Sequence, residues 1–119
     1  EINEENTGSE DFLKNLKLDL FEKHVFLFTP LGDVIELPEG STALDFAYAI
    51  HSDIGNHASG VRVNGKFVSL DTELNSGDIV EVQTKQNNKP TRKWLDYAKT
   101  SFAQRYIRNF LKQENKKEP

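Results

Sequence analysis

The side chains best suited to chemistry in this chain lie in one short stretch, LDFAYAIHSDIG at residues 44–55, and in the few residues that follow it. His51 comes three residues after Tyr48, a spacing that places two side chains on one side of a helix. An imidazole ring can pack at the edge of a core and hydrogen-bond a carbonyl group, or it can stack on an unpaired RNA base and donate to a ribose oxygen. The pattern alone favours the packed ring and leaves both interpretations open.

Other kinds of chemistry have less support in the sequence. The three histidines, His24, His51 and His57, lack the spacing of metal ligands, and the absence of cysteine excludes disulfides and thiolate metal sites. Asp45 and Asp53 resemble a carboxylate pair, but Asp45 is predicted to cap a helix and Asp53 to be solvent-exposed. Neither GxGxxG nor GxxxxGK(S/T) occurs. We therefore expect no metal, no cofactor and no catalytic residue in this chain.

The charges of the 119 residues are distributed unevenly along the chain. Residues 24–84 carry 9 acids and 2 bases, a net charge of −7, whereas residues 85–119 carry 3 acids and 10 bases, a net charge of +7. Nucleic acid could be attracted electrostatically by the C-terminal segment, while the acidic central module would have to recognise it through specific contacts.

Apolar runs in this chain are short. None approaches the roughly 20 residues that a membrane helix needs, so no membrane partner is expected. The chain has no initiator methionine and no signal-peptide pattern, and we expect it to be part of a longer protein. The lack of cysteine fits a reducing cytoplasm.

Changes in composition and periodicity predict three segments. Residues 1–23 form an acidic lead-in with a helix over about residues 9–22. Residues 24–84 form the central domain. Residues 85–119 contain a linker and a basic amphipathic helix, from about Thr91 to Gln113, which we expect to leave the central domain and begin the next one.

Within the central domain the pattern alternates between strands and one helix. A hairpin is predicted from the apolar runs at residues 24–28 and 34–37, and a second one around the Asn64–Gly65 turn. The helix between them is predicted from Ala43 to about Asp53, with Gly55 as the residue that ends it. A last strand covers residues 79–84. The fold class is therefore α+β, a β-grasp (ubiquitin-like) mixed sheet with one packed helix, flanked by an N-terminal and a C-terminal helix.

Several motifs, in their order along the chain, resemble one family. FTP-x-G-D at residues 28–33 and LP-x-G-S at residues 37–41 resemble the TGS domain, a β-grasp module shared by threonyl-tRNA synthetases, some GTPases and RelA/SpoT-type (p)ppGpp synthetase/hydrolases. LDFAY-x-IHSDIG, NGKFVSLDTEL-x-SGD-x-VE and the later W-L-x-x-A-x-T, which starts at Trp94, resemble the RelA/SpoT type in particular. The resemblance covers about residues 9–112.

The resemblance implies a non-catalytic regulatory module of a cytoplasmic stringent-response enzyme, a GTP pyrophosphokinase or (p)ppGpp hydrolase whose catalytic domains lie outside this chain. It also implies that the module senses uncharged tRNA on the ribosome, and that the histidine of the IHSD segment, here His51, contacts the 3′-CCA end. Where the family often has a histidine before this one and Gly-His-Arg after it, the chain has Ala49 and Gly55-Asn56-His57. The further candidates for RNA contact are Tyr48, Gly55, Asn56, His57 and Arg62.

A second function stays open. β-Grasp domains also bind proteins through the open face of the sheet, so the module could contact the catalytic half of its own protein or dock a regulatory protein. The two functions differ in what they depend on. RNA binding should depend on His51 and on salt, whereas protein docking should depend on exposed residues of the sheet.

Overall fold

The computed structural model describes residues 23–117, and the helix predicted over about residues 9–22 lies outside that range. Strands β1 (His24–Phe28) and β2 (Val34–Pro38) form the predicted antiparallel hairpin, with Phe28 opposite Val34. Val25 and Leu27 of β1 are buried, whereas Phe26 between them is exposed. This alternation gives the hairpin one face toward the core and one face toward solvent.

The remaining strands form a second antiparallel group. β3 (Ala58–Val63) lies between β4 (Lys66–Val68) and β5 (Val80–Thr84). Asn64 and Gly65 make the β3–β4 turn with φ angles of 54° and 88°, and two consecutive positive angles explain the Asn-Gly pair at this position.

A parallel contact joins the two groups of strands. Phe28 forms a parallel bridge with Ile79, and its amide donates to the carbonyl oxygen of Asp78 at 2.9 Å. The strand order is therefore β2-β1-β5-β3-β4, with one parallel contact among antiparallel pairs. This arrangement confirms the predicted mixed sheet of the β-grasp type.

Helix α1 (Ala43–Ile50) packs across this sheet. Thr42 and Asp45 form a capping box at its N-terminus, as predicted for Asp45. Phe46 is the largest fully buried side chain on the helix and contributes to the main core cluster. The other members of that cluster are Val25, Leu27, Leu37, Ala43, Val61, Leu74 and Val80.

The predicted end of this helix was wrong. α1 ends at Ile50, and a short second helix, α2 (Ser52–Asn56), begins after one extended residue, His51. Gly55 lies inside α2 and so does not terminate α1. The physical reason is that the side chain of His51 caps α2. A new helix therefore begins at Ser52 and includes Gly55, the residue that was expected to end α1.

The C-terminal segment also differs from the prediction. It forms two helices, α3 (Trp94–Tyr97) and α4 (Ser101–Lys117), separated by extended backbone at Ala98. Both helices pack back on α1, whereas the sequence predicted one continuous helix that leaves the domain. The contact surface is a second core cluster of Leu44, Ala47, Tyr48, Ala58, Trp94, Ala98, Ala103 and Ile107. The proposed boundaries at residues 23 and 84 stay predictions.

A buried carboxylate holds the α3–α4 junction against α1. Asp45 is fully buried, and its two oxygens accept hydrogen bonds from the amide of Lys99 at 2.9 and 3.0 Å. One oxygen also accepts from the amide of Thr100 at 3.0 Å and from its hydroxyl at 2.8 Å. The other accepts from the amide of Thr42 at 2.8 Å. The residue predicted only as a helix cap therefore also fixes where α4 begins.

Candidate nucleic-acid interface at the α1–α2 junction

His51 lies between two helices and is the C-cap residue of α1 and the N-cap residue of α2. Its amide donates to the carbonyl oxygen of Ala47 at 3.4 Å, which closes α1. Its ring Nδ1 accepts a hydrogen bond from the amide of Asp53 at 3.0 Å, which caps α2. The backbone of His51 is extended, with φ of −171° and ψ of 147°, so the chain changes direction at this residue.

The ring of His51 is accessible although its position is fixed. The side chain is 63% exposed. Because Nδ1 is the acceptor for the Asp53 amide, the proton of the neutral ring lies on Nε2. The ring therefore offers solvent an N–H donor and an aromatic face. Such a group can stack on an unpaired base and donate to a ribose or base oxygen.

Tyr48 supports this junction from inside the protein. The residue is only 3% exposed, and its hydroxyl donates to Oδ1 of Asn56 at 2.7 Å. Burial raises the pKa of the Tyr48 phenol above its ordinary value. Because the core covers its ring, Tyr48 offers no stacking surface beside His51, and its candidacy for RNA contact stays a prediction. Asn56, another RNA candidate, has its side-chain oxygen occupied by the same bond.

Gly55 lies so close to Tyr48 that no side chain fits there. A Cβ atom on Gly55 would come within 2.3 Å of Cδ1 of the Tyr48 ring, far inside van der Waals contact. On α4, Tyr106 stacks on Tyr48 with ring centroids 5.8 Å apart and an interplanar angle of 11°. The short helix after His51 is thus supported by Tyr48, which is in turn supported by α4. Tyr106 lies in the predicted amphipathic helix, and nothing in the sequence connects it with the residues around His51.

His57 lies at the other end of α2. Its Nδ1 is 3.0 Å from the carbonyl oxygen of Asn88, and since a carbonyl only accepts, Nδ1 carries the proton here. Asn88 in turn donates to the carbonyl oxygen of Ala58 at 3.0 Å. A shallow cavity of about 270 Å³ adjoins this end, lined by Asp53, Ile54, His57, Thr84 and Gln86. The two histidines that flank α2 therefore hold their protons on opposite ring nitrogens.

Arg62 is not part of this junction. It lies in β3 opposite Phe67 of β4 and Glu81 of β5. Its neighbour Val61 is buried against the helix side of the sheet, so alternation places Arg62 on the other face. There its guanidinium carbon is 4.6 Å from the centroid of the Phe67 ring, a cation–π contact. A role of Arg62 in RNA binding stays a prediction and would involve a different face.

The described residues limit the other kinds of site. Within residues 23–117, no group of three or more His, Cys, Asp or Glu side chains is placed to hold a metal ion. No helix in that range is both long enough and apolar enough to cross a membrane.

The sheet order, the crossing helix and the hairpin turns define a small β-grasp module with a helical C-terminal extension. The sequence profile of the TGS domain matches residues 25–84, and the chain belongs to the TGS domain family. This finding confirms the resemblance that the FTP-x-G-D and LP-x-G-S motifs indicated.

Curated relatives match well beyond that domain. A protein named GTP pyrophosphokinase from Myxococcus xanthus is 52% identical over 89% of this chain, which spans 14% of that protein. Guanosine-3′,5′-bis(diphosphate) 3′-pyrophosphohydrolase from Aquifex aeolicus is 47% identical over 93% of the chain and 16% of the relative. Bifunctional (p)ppGpp synthase/hydrolase RelA from Mycobacterium tuberculosis is 43% identical over 91% of the chain and 15% of the relative. The predicted likeness to the RelA/SpoT type is thereby confirmed.

A solved structure supports the fold. The chain is similar to a GTP-binding protein from Pyrococcus horikoshii OT3, with a TM-score of 0.51 and 25% identity. The match covers 66% of this chain and 26% of the other. The similarity therefore supports the β-grasp fold of this chain.

Proposed function

We propose that this TGS module recognises the 3′-CCA end of uncharged tRNA, with His51 as the principal contact. The observation that carries the proposal is the combination of exposure and rigidity at His51, whose ring is 63% exposed while its Nδ1 is held by the Asp53 amide. A ring that is already held in one orientation loses little conformational entropy when a base stacks on it. Stacking of a base on an aromatic side chain contributes about 1–3 kcal/mol.

The support beneath the ring favours the same function. Tyr48 and Gly55 pack too closely to allow α2 to shift toward the core. A 3′-terminal nucleotide that stacks on His51 therefore meets a surface of fixed shape. A bulky group on the 3′ oxygen, such as an aminoacyl ester, would need space that such a contact does not provide.

The module would act within a longer protein. Relatives carry names of enzymes that make or hydrolyse (p)ppGpp, and the chain spans only 14–16% of the first two of them. We propose that this module regulates such an enzyme in the cytoplasm, in contact with its catalytic half and with the ribosome, and has no catalytic activity of its own.

NMR titration tests the RNA proposal directly. The 119-residue chain is titrated with a short RNA that ends in CCA, and then with the same RNA carrying a bulky 3′ substituent. Chemical-shift changes centred on His51, Asp53 and Gly55 are expected for the free 3′ end and should be lost for the blocked one. Changes confined to residues 85–117, or equal changes with both RNAs, would contradict the proposal.

A second function is favoured by the open face of the sheet. Four large apolar side chains on or beside that face are about half exposed: Phe26 at 49%, Val34 at 57%, Phe67 at 59% and Ile79 at 49%. Exposed apolar side chains grouped on one face are typical of protein-docking surfaces. We propose the catalytic half of the parent protein as the partner of this face.

A double variant separates this function from RNA binding. Phe26→Ser with Phe67→Ser should weaken association of the chain with the separately expressed catalytic half and should leave the CCA titration unchanged. Thr84→Ser with Gln83→Asn, at exposed positions on β5, is the control. Unchanged association of the double variant would contradict docking through this face.

A further inference from the structure

Three cations, one from the turn before α3 and two from α4, line one groove of the C-terminal extension. The α3–α4 groove has a volume of about 360 Å³ and is lined by Arg92, Leu95, Arg108, Asn109, Leu111 and Lys112. Leu95 and Leu111 are half-buried and pack against the second core cluster, whereas Arg92, Arg108 and Lys112 are exposed. The groove therefore combines an apolar base with cationic edges.

The cations are presented by packed elements of the fold. Arg108 and Lys112 are four residues apart on α4, so they share one side of the helix with a rise of about 6 Å between them. Arg92 lies in the turn that leads into α3, where its carbonyl oxygen accepts from the amide of Leu95 at 3.1 Å. The buried side chain of Trp94 anchors this turn. The three charges therefore keep a defined arrangement around the groove.

Nothing acidic in the described part of the chain neutralises these cations. None of the six lining residues is acidic, and Arg92, Arg108 and Lys112 form no ion pair with any residue of 23–114. Glu114, the one acidic residue in α4, lies 3.9 Å from Nζ of Lys89 instead. A focused positive patch on a module whose residues 24–84 carry −7 is an electrostatic signature of binding to phosphate.

We propose that the α3–α4 groove binds the phosphodiester backbone of RNA, as a contact site separate from His51. Each guanidinium can donate two parallel hydrogen bonds to one phosphate, and Lys112 adds a point charge. The amide of Asn109 can donate to a phosphate or sugar oxygen, and the leucine base suits the apolar face of a ribose. Cations spread along an open groove match a row of single phosphates.

The position of the groove fits an RNA that also reaches the α1–α2 junction. Leu95 and Leu111 pack against the same core cluster as Ile54 of α2, and α2 contacts α4 directly. Backbone contacts of this kind orient a nucleic acid without reading its sequence. The groove would therefore hold RNA whatever its 3′ end, and its test does not depend on the role of His51.

The test is the salt dependence of RNA binding by the 119-residue chain. The probe is a short single-stranded RNA without a CCA end, followed by fluorescence anisotropy from about 50 to 200 mM salt. The variant combines Arg92→Gln, Arg108→Gln and Lys112→Gln. Loss of three phosphate contacts should make the negative slope of log K, the association constant, against log salt shallower by about 2. At about 0.1 M salt this corresponds to roughly 100-fold weaker binding.

A variant of equal net charge is the control. Lys85→Gln, Lys93→Gln and Arg105→Gln remove three exposed cations of the same segment that lie outside the groove. This variant should lose much less affinity, and both variants should keep the helical circular dichroism of the original chain. Equal losses in the two variants, an unchanged slope in the groove variant, or no binding by the original chain at about 50 mM salt would overturn the proposal.

A competition experiment distinguishes RNA backbone from a small polyphosphate. Inorganic pyrophosphate should displace the RNA no better than sulfate at equal ionic strength. If pyrophosphate displaced it where sulfate did not, the groove would be a site for a compact polyphosphate and the proposal would be overturned.

Discussion

Replacing Asp45 by asparagine should undo the attachment of α4 to the β-grasp module. The substitution keeps the shape of the side chain but turns one of its two acceptor oxygens into an NH₂ donor. In one orientation that donor faces the amides of Lys99 and Thr100, and in the other it faces those of Thr42 and Lys99. Either way, at least one buried amide, and as many as two, faces a donor where it now meets an acceptor.

The magnitude follows from these lost bonds. A buried donor without a partner costs about 1–3 kcal/mol, and bonds to a charged acceptor lie at the upper end of that range. One or two such donors give a loss of about 2–5 kcal/mol in the free energy of unfolding. That is a large share of the roughly 5–15 kcal/mol that stabilises an ordinary domain. Because the lost bonds lie at the α3–α4 junction, undocking of these helices should precede unfolding of the sheet.

Trp94 makes this change measurable. It is the single tryptophan of the chain, it lies in α3, and it is only 6% exposed. In urea, the fluorescence of Trp94 in Asp45→Asn should change at a lower concentration than in the original chain, ahead of the circular dichroism of the sheet. Asp53→Asn is the matched control, because its side chain is 81% exposed and should cost less than about 0.5 kcal/mol. A loss of less than about 0.5 kcal/mol in Asp45→Asn would refute the reasoning.

Two further substitutions test the support beneath His51. Gly55→Ala should destabilise the chain by about 1–3 kcal/mol in urea unfolding, because the new Cβ overlaps the Tyr48 ring. Gly60→Ala is the control and should cost less, because its Cβ would lie 3.5 Å from its nearest neighbour. Equal destabilisation by the two substitutions would contradict this packing. Tyr48→Phe should cost about 1 kcal/mol at neutral pH through the lost bond to Asn56. Since burial raises the pKa of Tyr48, the contribution of its phenol to the free energy of unfolding is complete below the ordinary tyrosine pKa of about 10. That contribution is lost progressively as the pH rises above this value. Above about pH 10, the free energy of unfolding in urea should therefore fall more steeply with pH in the original chain than in Tyr48→Phe. Tyr106→Phe is the control and should keep the steep fall of the original chain. Equal pH dependence in the original chain and Tyr48→Phe would contradict the burial argument.

The parts of the fold that the sequence predicts are those set by local pattern. The strand at residues 24–28 follows from a short apolar run of β-branched and aromatic residues, and the β3–β4 turn follows from the conformational preference of Asn64–Gly65. These features depend on neighbours along the chain. The β-grasp class could therefore be inferred from the sequence.

The features that the sequence did not predict depend on contacts between distant residues. The break of α1 at His51 arises because the His51 side chain caps the next helix. Histidine is not among the residues preferred at helix N-caps, so the sequence gives no sign of this role. Asp45 could be recognised as a cap, but its bonds to Lys99 and Thr100 join residues more than fifty positions apart. Tyr48 was predicted to share one side of the helix with His51, whereas the structure buries Tyr48 against α4, which the sequence predicted to leave the domain.

The most direct test of the central claim is the RNA affinity of His51→Asn. Asparagine retains an acceptor that can cap the Asp53 amide, so the variant removes the ring while preserving the α1–α2 junction. The readout is the ratio of affinities for a short RNA with a free CCA end and for the same RNA with a blocked 3′ end. His24→Asn, at a histidine on β1, is the matched control.

The original chain and His24→Asn should prefer the RNA with the free end, and His51→Asn should lose this preference. A stacking contribution of about 1–3 kcal/mol corresponds to a loss of roughly 5-fold to 150-fold in affinity for the free end. If His51→Asn distinguished free from blocked RNA as well as the original chain does, recognition of the 3′ end by His51 would be contradicted.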